Sequence, residues 1–164
     1  MSTNKTNVAK DFQEKSIVVS REFNAPLADV WRAFTVSALL DQWWGPSPWH
    51  VETKSQDFKP GGFWLYAMVG PEGQKHWARM DYISITHHKG FEIKDSFCDE
   101  NGAINQELPV STGSNTFTET AGGTKVAFKM IYPTEAALQT IVDMGFEQGI
   151  SMCFDQLEEL LKDK

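Results

Sequence analysis

Thr134–Leu160 reads T-E-A-A-L-Q-T-I-V-D-M-G-F-E-Q-G-I-S-M-C-F-D-Q-L-E-E-L. Leu138, Ile141, Val142, Phe146, Ile150, Cys153, Leu157 and Leu160 recur at the spacing that lines up one face of a helix. Thr134 is placed to cap its start, directly after Pro133. Gly145 and Gly149 interrupt the stripe, each costing about 1 kcal/mol relative to Ala in a helix. They mark either a break between two helices or a stretch that needs bare backbone beside a sheet. So long an apolar stripe must be covered by another layer.

The preceding sequence supplies that layer. Between His50 and Tyr132 the chain alternates strand-like runs with turn signals such as Lys59-Pro60-Gly61-Gly62, Gly70-Pro71-Glu72-Gly73 and Asp99-Glu100-Asn101-Gly102. Strands are expected at His50–Phe58, Phe63–Val69, Gln74–Thr86, Phe91–Cys98, Ser114–Thr120 and Thr124–Tyr132. The segment 103–112 has no clear pattern. Further back, Ser16–Phe23 is β-branched and reads as a strand. Val30, Trp31 and Phe34 give a short helix opened by Pro26, and Ser37 is placed to cap a second through Trp43. The expected fold is α+β, in the order β-α-α, about six strands, then a long helix. A curved antiparallel sheet wraps that helix. Residues 1–15 are expected as a polar N-terminal tail and residues 16–161 as one domain.

Parity along the strands shows which faces need cover. Phe91, Ile93 and Phe97 share one face of their strand, opposite Glu92, Lys94 and Ser96; Val126, Phe128 and Met130 oppose Lys129. Phe63–Val69 is apolar on both parities, unlike a half-solvated antiparallel strand. A sheet of this length curled over one helix either fills completely or leaves a cavity. Trp64 and Tyr66 carry polar tips that a dry core seldom prefers, which favours the cavity.

Composition narrows the possible roles. The 164 residues carry a formal charge of −7, which opposes contact with phosphate backbones, so nucleic-acid binding is not expected. No run approaches the ~20 apolar residues of a membrane span, and residues 1–14 show no signal peptide, so a cytoplasmic location is expected. Cys98 and Cys153 fit no metal spacing and read as reduced thiols. Neither a metal nor a cofactor is expected. Six Trp and eleven Phe exceed what a small core usually needs, so either the core is aromatic-rich or some of them line a pocket.

Few residues carry recognisable chemistry. Asp95 shares parity with Phe91, Ile93 and Phe97, so it points inward unless a bulge or strand end returns it to solvent; inward, a carboxylate needs a partner or its pKa rises. Arg79, on a neighbouring strand, is the natural counter-charge. His50 and His76 stand in strands, and His76 and Asp95 are the weak catalytic candidates. His87-His88 are adjacent, and an extended chain would send their rings to opposite sides. Trp43-Trp44-Gly45-Pro46 either forms a cavity rim or packs the short helices. Gly149–Cys153 is only superficially like a nucleophile elbow, since it reads as helix and lacks the last Gly.

Phe23-Asn24-Ala25-Pro26 with Val30-Trp31-Arg32-Ala33-Phe34 resembles the opening motif of the START-like superfamily. Trp43-Trp44-Gly45-Pro46, Pro60-Gly61-Gly62, Gly122-Gly123-Thr124 and the Gly149…Leu157-Glu158-Glu159-Leu160 ending narrow the likeness. They resemble the branch homologous to the activator of the heat-shock protein 90 ATPase. The resemblance covers residues 16–161. It implies a helix-grip fold whose cavity often holds an apolar small molecule, and it brings no shared catalytic set. The co-chaperone role belongs to larger relatives with an extra N-terminal domain, and none is expected within these 164 residues. The expected function is binding of an apolar or aromatic molecule, with a cyclase- or hydrolase-type enzyme and a chaperone-interacting module as alternatives. The expected ligand-facing residues are Trp44, Trp64, Tyr66, Met68, His76, Met80, Phe97, Phe128, Met130, Phe146 and Ile150. A monomer or homodimer is equally compatible.

Overall fold

In the computed structural model, which describes residues 5–162, eight strands form one antiparallel sheet. They are β1 (Asn7–Asp11), β2 (Ser16–Phe23), β3 (His50–Gln56), β4 (Phe63–Val69), β5 (Lys75–Thr86), β6 (Gly90–Cys98), β7 (Ser111–Thr120) and β8 (Gly123–Ile131). Their spatial order is β1-β2-β8-β7-β6-β5-β4-β3. The helices are α1 (Leu27–Thr35), α2 (Ser37–Trp43), α3 (Glu135–Asp143) and α4 (Phe146–Lys162). The sheet curves around the C-terminal helix, as the helix-grip reading expects.

Several expectations change in detail. Asn7–Asp11, inside the stretch expected as a polar tail, is the edge strand β1, pairing with Ser16–Ser20; residues 1–4 of that stretch lie outside the described residues. The C-terminal stripe is two helices. Gly145 has φ +87°, a left-handed backbone that ends α3, whereas Gly149 stays helical within α4. Phe154 and Leu161 are buried on α4, and Leu160 is only half-buried. Thr134 caps α3, its hydroxyl accepting from Ala137 N at 3.0 Å. Ser37 does not cap α2; instead Gln56 Oε1 of β3 accepts from Ser37 N at 2.9 Å. A side chain from another element fills a role that local sequence had assigned to Ser37.

The concave face and the helices enclose the core. Trp31 fills one end, meeting Phe58, Phe91 and Phe117 edge-on with ring centroids 5.1–6.0 Å apart. Trp43 packs α2 inward and donates its Nε1–H to Ala33 O at 2.8 Å. Arg21 of β2 is buried and reaches Asp155 (2.6 Å) and Glu158 (2.8 Å) of α4. That pairing satisfies a charge that would otherwise be expensive beneath the helix.

The two-sided apolarity of β4 has a structural cause. Its outer residues Leu65, Ala67 and Val69 are buried. The turn after β6 folds back over this face. Arg79 Nη1 donates to Gly102 O at 2.9 Å, and Lys54 Nζ donates to Glu100 O at 2.7 Å.

Candidate functional site

At the end of the fold opposite Trp31, the sheet and helices do not close on each other. They leave a cavity of about 230 Å³, roughly the liquid volume of seven or eight waters. Tyr66 and Met68 of β4, Ala78 of β5, and Asp95 and Phe97 of β6 form its floor. Pro109, Ser111 and Tyr132 form one wall, and Trp44 and Pro46 another. Ile141 of α3 and Phe146, Gly149, Ile150 and Cys153 of α4 close the roof.

Strand register brings these residues together. Tyr66 lies opposite Ala78, and Ala78 opposite Phe97; one step along, Asp95 lies opposite Ser111. The small side chain of Ala78 leaves the space that its larger neighbours surround. Above it, Gly149 presents helix backbone instead of a side chain.

The polar groups of the lining are few and mostly engaged. Trp44 Nε1 donates to the Tyr66 hydroxyl at 3.1 Å. Cys153 Sγ lies 2.9 Å from Trp44 O, donating to it. Ser111 is near enough to the Tyr132 hydroxyl to oppose part of the rise that burial imposes on that phenol. Burial raises both phenols, and the Asp95 charge adds to that rise. Burial also pushes the Cys153 thiol up to about 12, so it stays protonated and unreactive near neutrality.

Asp95 is the one charged side chain in the lining. It is enclosed by protein, and the surface it keeps accessible faces the cavity. Burial, above all, pushes its carboxyl up to about 7; a backbone hydrogen bond at Ser96 opposes this, and the Asp81 charge adds to it. Arg79, the expected counter-charge, lies on the outer face. Its guanidinium grips Asp81 at 2.6 and 3.0 Å and stacks 4.0 Å from the Phe63 ring centre. The reason is parity, since Arg79 pairs with Leu65 and Ser96 while Met80 stands opposite Asp95.

Of the residues expected to face a ligand, Trp44, Tyr66, Met68, Phe97, Phe146 and Ile150 line the cavity. Trp64, Met80, Phe128 and Met130 are buried behind it. Trp64 stacks on Tyr66 at 3.9 Å, and its Nε1 donates to Thr53 Oγ1. His76 is exposed, 5.5 Å from the Trp49 ring, and His50 is exposed beside Glu52. Neither histidine reaches the cavity. His87 and His88 do not diverge as expected. The left-handed backbone of His88 (φ 61°) stacks the rings 3.8 Å apart against Trp31.

Sequence reasoning missed Pro46, Ala78, Ser96, Pro109, Ser111, Tyr132, Ile141, Gly149 and Cys153 as lining residues. Tyr132 continues the parity of Phe128 and Met130, a signal that was there to extend. Pro109 and Ser111 fall in the segment that carried no pattern.

No helix among the described residues is long and apolar enough to cross a membrane. In comparisons with known proteins, no curated protein matches this chain. Solved structures do match. A protein of Mycobacterium smegmatis is 33% identical, with 95% of this chain and 96% of that one covered and a TM-score of 0.88. One of Arthrobacter aurescens is 28% identical over 96% and 92% of the two chains, with a TM-score of 0.90. One of Staphylococcus epidermidis is 29% identical over 96% and 94%, with a TM-score of 0.84. The sequence model of one family covers residues 24–162, from the turn after β2 to the end of α4. By that match the chain, a START-type helix-grip domain, belongs to the family described as Activator of Hsp90 ATPase homolog 1-like protein.

Proposed function

We propose that this protein binds a small, largely apolar or aromatic molecule in the cavity between the sheet and helices α3 and α4. The observation that carries the reading is the space itself. A chain with ample aromatic side chains packs one end of its core densely and leaves about 230 Å³ open at the other. The volume lies just below the ~300–1,000 Å³ usual for small-molecule sites, so it suits a single substituted ring. Rings and aliphatic groups supply contact area, while the Tyr66 and Tyr132 hydroxyls and Asp95 supply polar selection.

The experiment is native mass spectrometry of freshly purified protein together with a thermal-shift screen of small aromatics. Stabilisation should grow with ligand concentration. Ala78→Leu, which extends a side chain into the cavity, should remove the response without unfolding the protein. A response that persists unchanged in Ala78→Leu places the binding elsewhere.

A proton-shuttling role for Asp95 is the second reading, supported by its carboxyl being held near 7. The family's name also brings a link to the chaperone's ATPase. An empty pull-down with the chaperone's middle domain would remove that reading.

A further inference from the structure

The lining of the cavity is electrostatically one-sided. Asp95 projects into it, and no Lys, Arg or His lines it. The nearest strand arginine, Arg79, is held on the opposite face of the sheet by Asp81 and the Gly102 carbonyl. The donors that remain are neutral hydroxyls. Trp44 Nε1 is committed to the Tyr66 oxygen, which leaves the hydroxyl protons of Tyr66, Ser111 and Tyr132. An anionic ligand would therefore meet a carboxylate and no cation in a largely apolar, half-enclosed space, a costly combination. A cation would instead give Asp95 the partner that the fold withholds. The rings of Trp44, Tyr66, Phe97 and Tyr132 line the same space, and aromatic rings attract a cation placed over them.

We propose that the cavity selects small aromatic or apolar molecules bearing a basic nitrogen, whose ammonium pairs with Asp95 while the rest of the molecule lies under Phe146 and Ile150. This inference rests on the cavity being a binding site. It goes further in naming the charge that the ligand carries.

The test uses three probes of matched size: 2-phenylethylamine, 2-phenylethanol and phenylacetate. Each is titrated by calorimetry into the wild-type chain, Asp95→Asn and Ala78→Leu. The amine should bind wild type at least about tenfold more tightly than the alcohol, with phenylacetate weakest. Asp95→Asn, nearly the same shape, should abolish the amine's advantage and leave the alcohol within about threefold. Binding of the alcohol by Asp95→Asn also shows that the variant is folded. Equal binding of amine and alcohol, or preference for phenylacetate, overturns the cation inference while cavity binding stands. An amine preference that survives in Asp95→Asn overturns it too. If no probe binds wild type and no small molecule co-purifies, both readings fall together.

Discussion

Asp95 pays for its position in a measurable way. An aspartate ordinarily ionises near 3.8, but here the carboxyl is held up to about 7. Between those pH values the folded chain keeps a proton that the unfolded chain has lost. Stability therefore falls as pH rises from about 4 to about 7, and levels off above that. The full difference is at most about 4 kcal/mol, and water entering the cavity relieves part of it. Asp95→Asn removes this cost, so it should melt higher than wild type at pH 8 by several degrees, with the gap closing towards pH 4. Equal melting temperatures at pH 8 would show that the carboxyl is well solvated. Strand parity offered an inward Asp95 but left open a bulge or strand end that would return it to solvent. It could not show that Arg79 faces outward, because pairing between strands depends on turns and bulges that set the register only in three dimensions, such as the irregularity between Tyr82 and Ser84.

At the scale of elements, the two C-terminal glycines have opposite roles, although the sequence offers one pattern for both. Gly145 sits at φ +87° with only the Gln148 side chain, 3.9 Å away, near a built Cβ. Space is not the obstacle there; the backbone is. Gly149 is helical, and its nearest neighbour would be Pro46 Cγ at 3.9 Å, an ordinary contact. Gly145→Ala should therefore destabilise the fold by about 1 kcal/mol or more, and Gly149→Ala should stabilise it by up to about 1 kcal/mol. Denaturant midpoints distinguish the two, and shifts in the same direction would contradict this assignment. Gly149→Ala also puts a methyl group on the cavity roof, so it should weaken ligand binding while strengthening the fold. The stripe of apolar residues was legible as helix throughout. The break was not, because whether a glycine ends a helix or sits within it depends on what the next turn packs against. The His87-His88 pair went wrong for a related reason, since one left-handed residue undoes the alternation that an extended chain imposes.

For the whole molecule, the main question left by the sequence was whether six Trp and eleven Phe fill the space beneath the sheet. They divide it. The cluster around Trp31 fills one end, and the other remains open beneath α3 and the first turns of α4. Composition gives the amount of aromatic volume but not its distribution, which follows from sheet curvature. The architecture also makes α3 a lightly anchored wall. Only Leu138 and Ile141 of α3 are buried, whereas α4 buries Ile150, Cys153, Phe154, Leu157 and Leu161. Ile141 lies on the cavity, and the Met144-Gly145 break separates α3 from α4, so α3 can swing without disturbing the long helix. Segments with few buried contacts open at lower free energy than the global fold. Amide hydrogens of Leu138–Asp143 should therefore exchange at least about tenfold faster than those of Phe154–Leu157. Saturating 2-phenylethylamine should slow the α3 set selectively, because a molecule beneath Ile141 ties that helix to the floor. If α3 exchanges as slowly as α4 in the free protein, it is not the wall that opens. The passage into the cavity would then lie elsewhere along the lining.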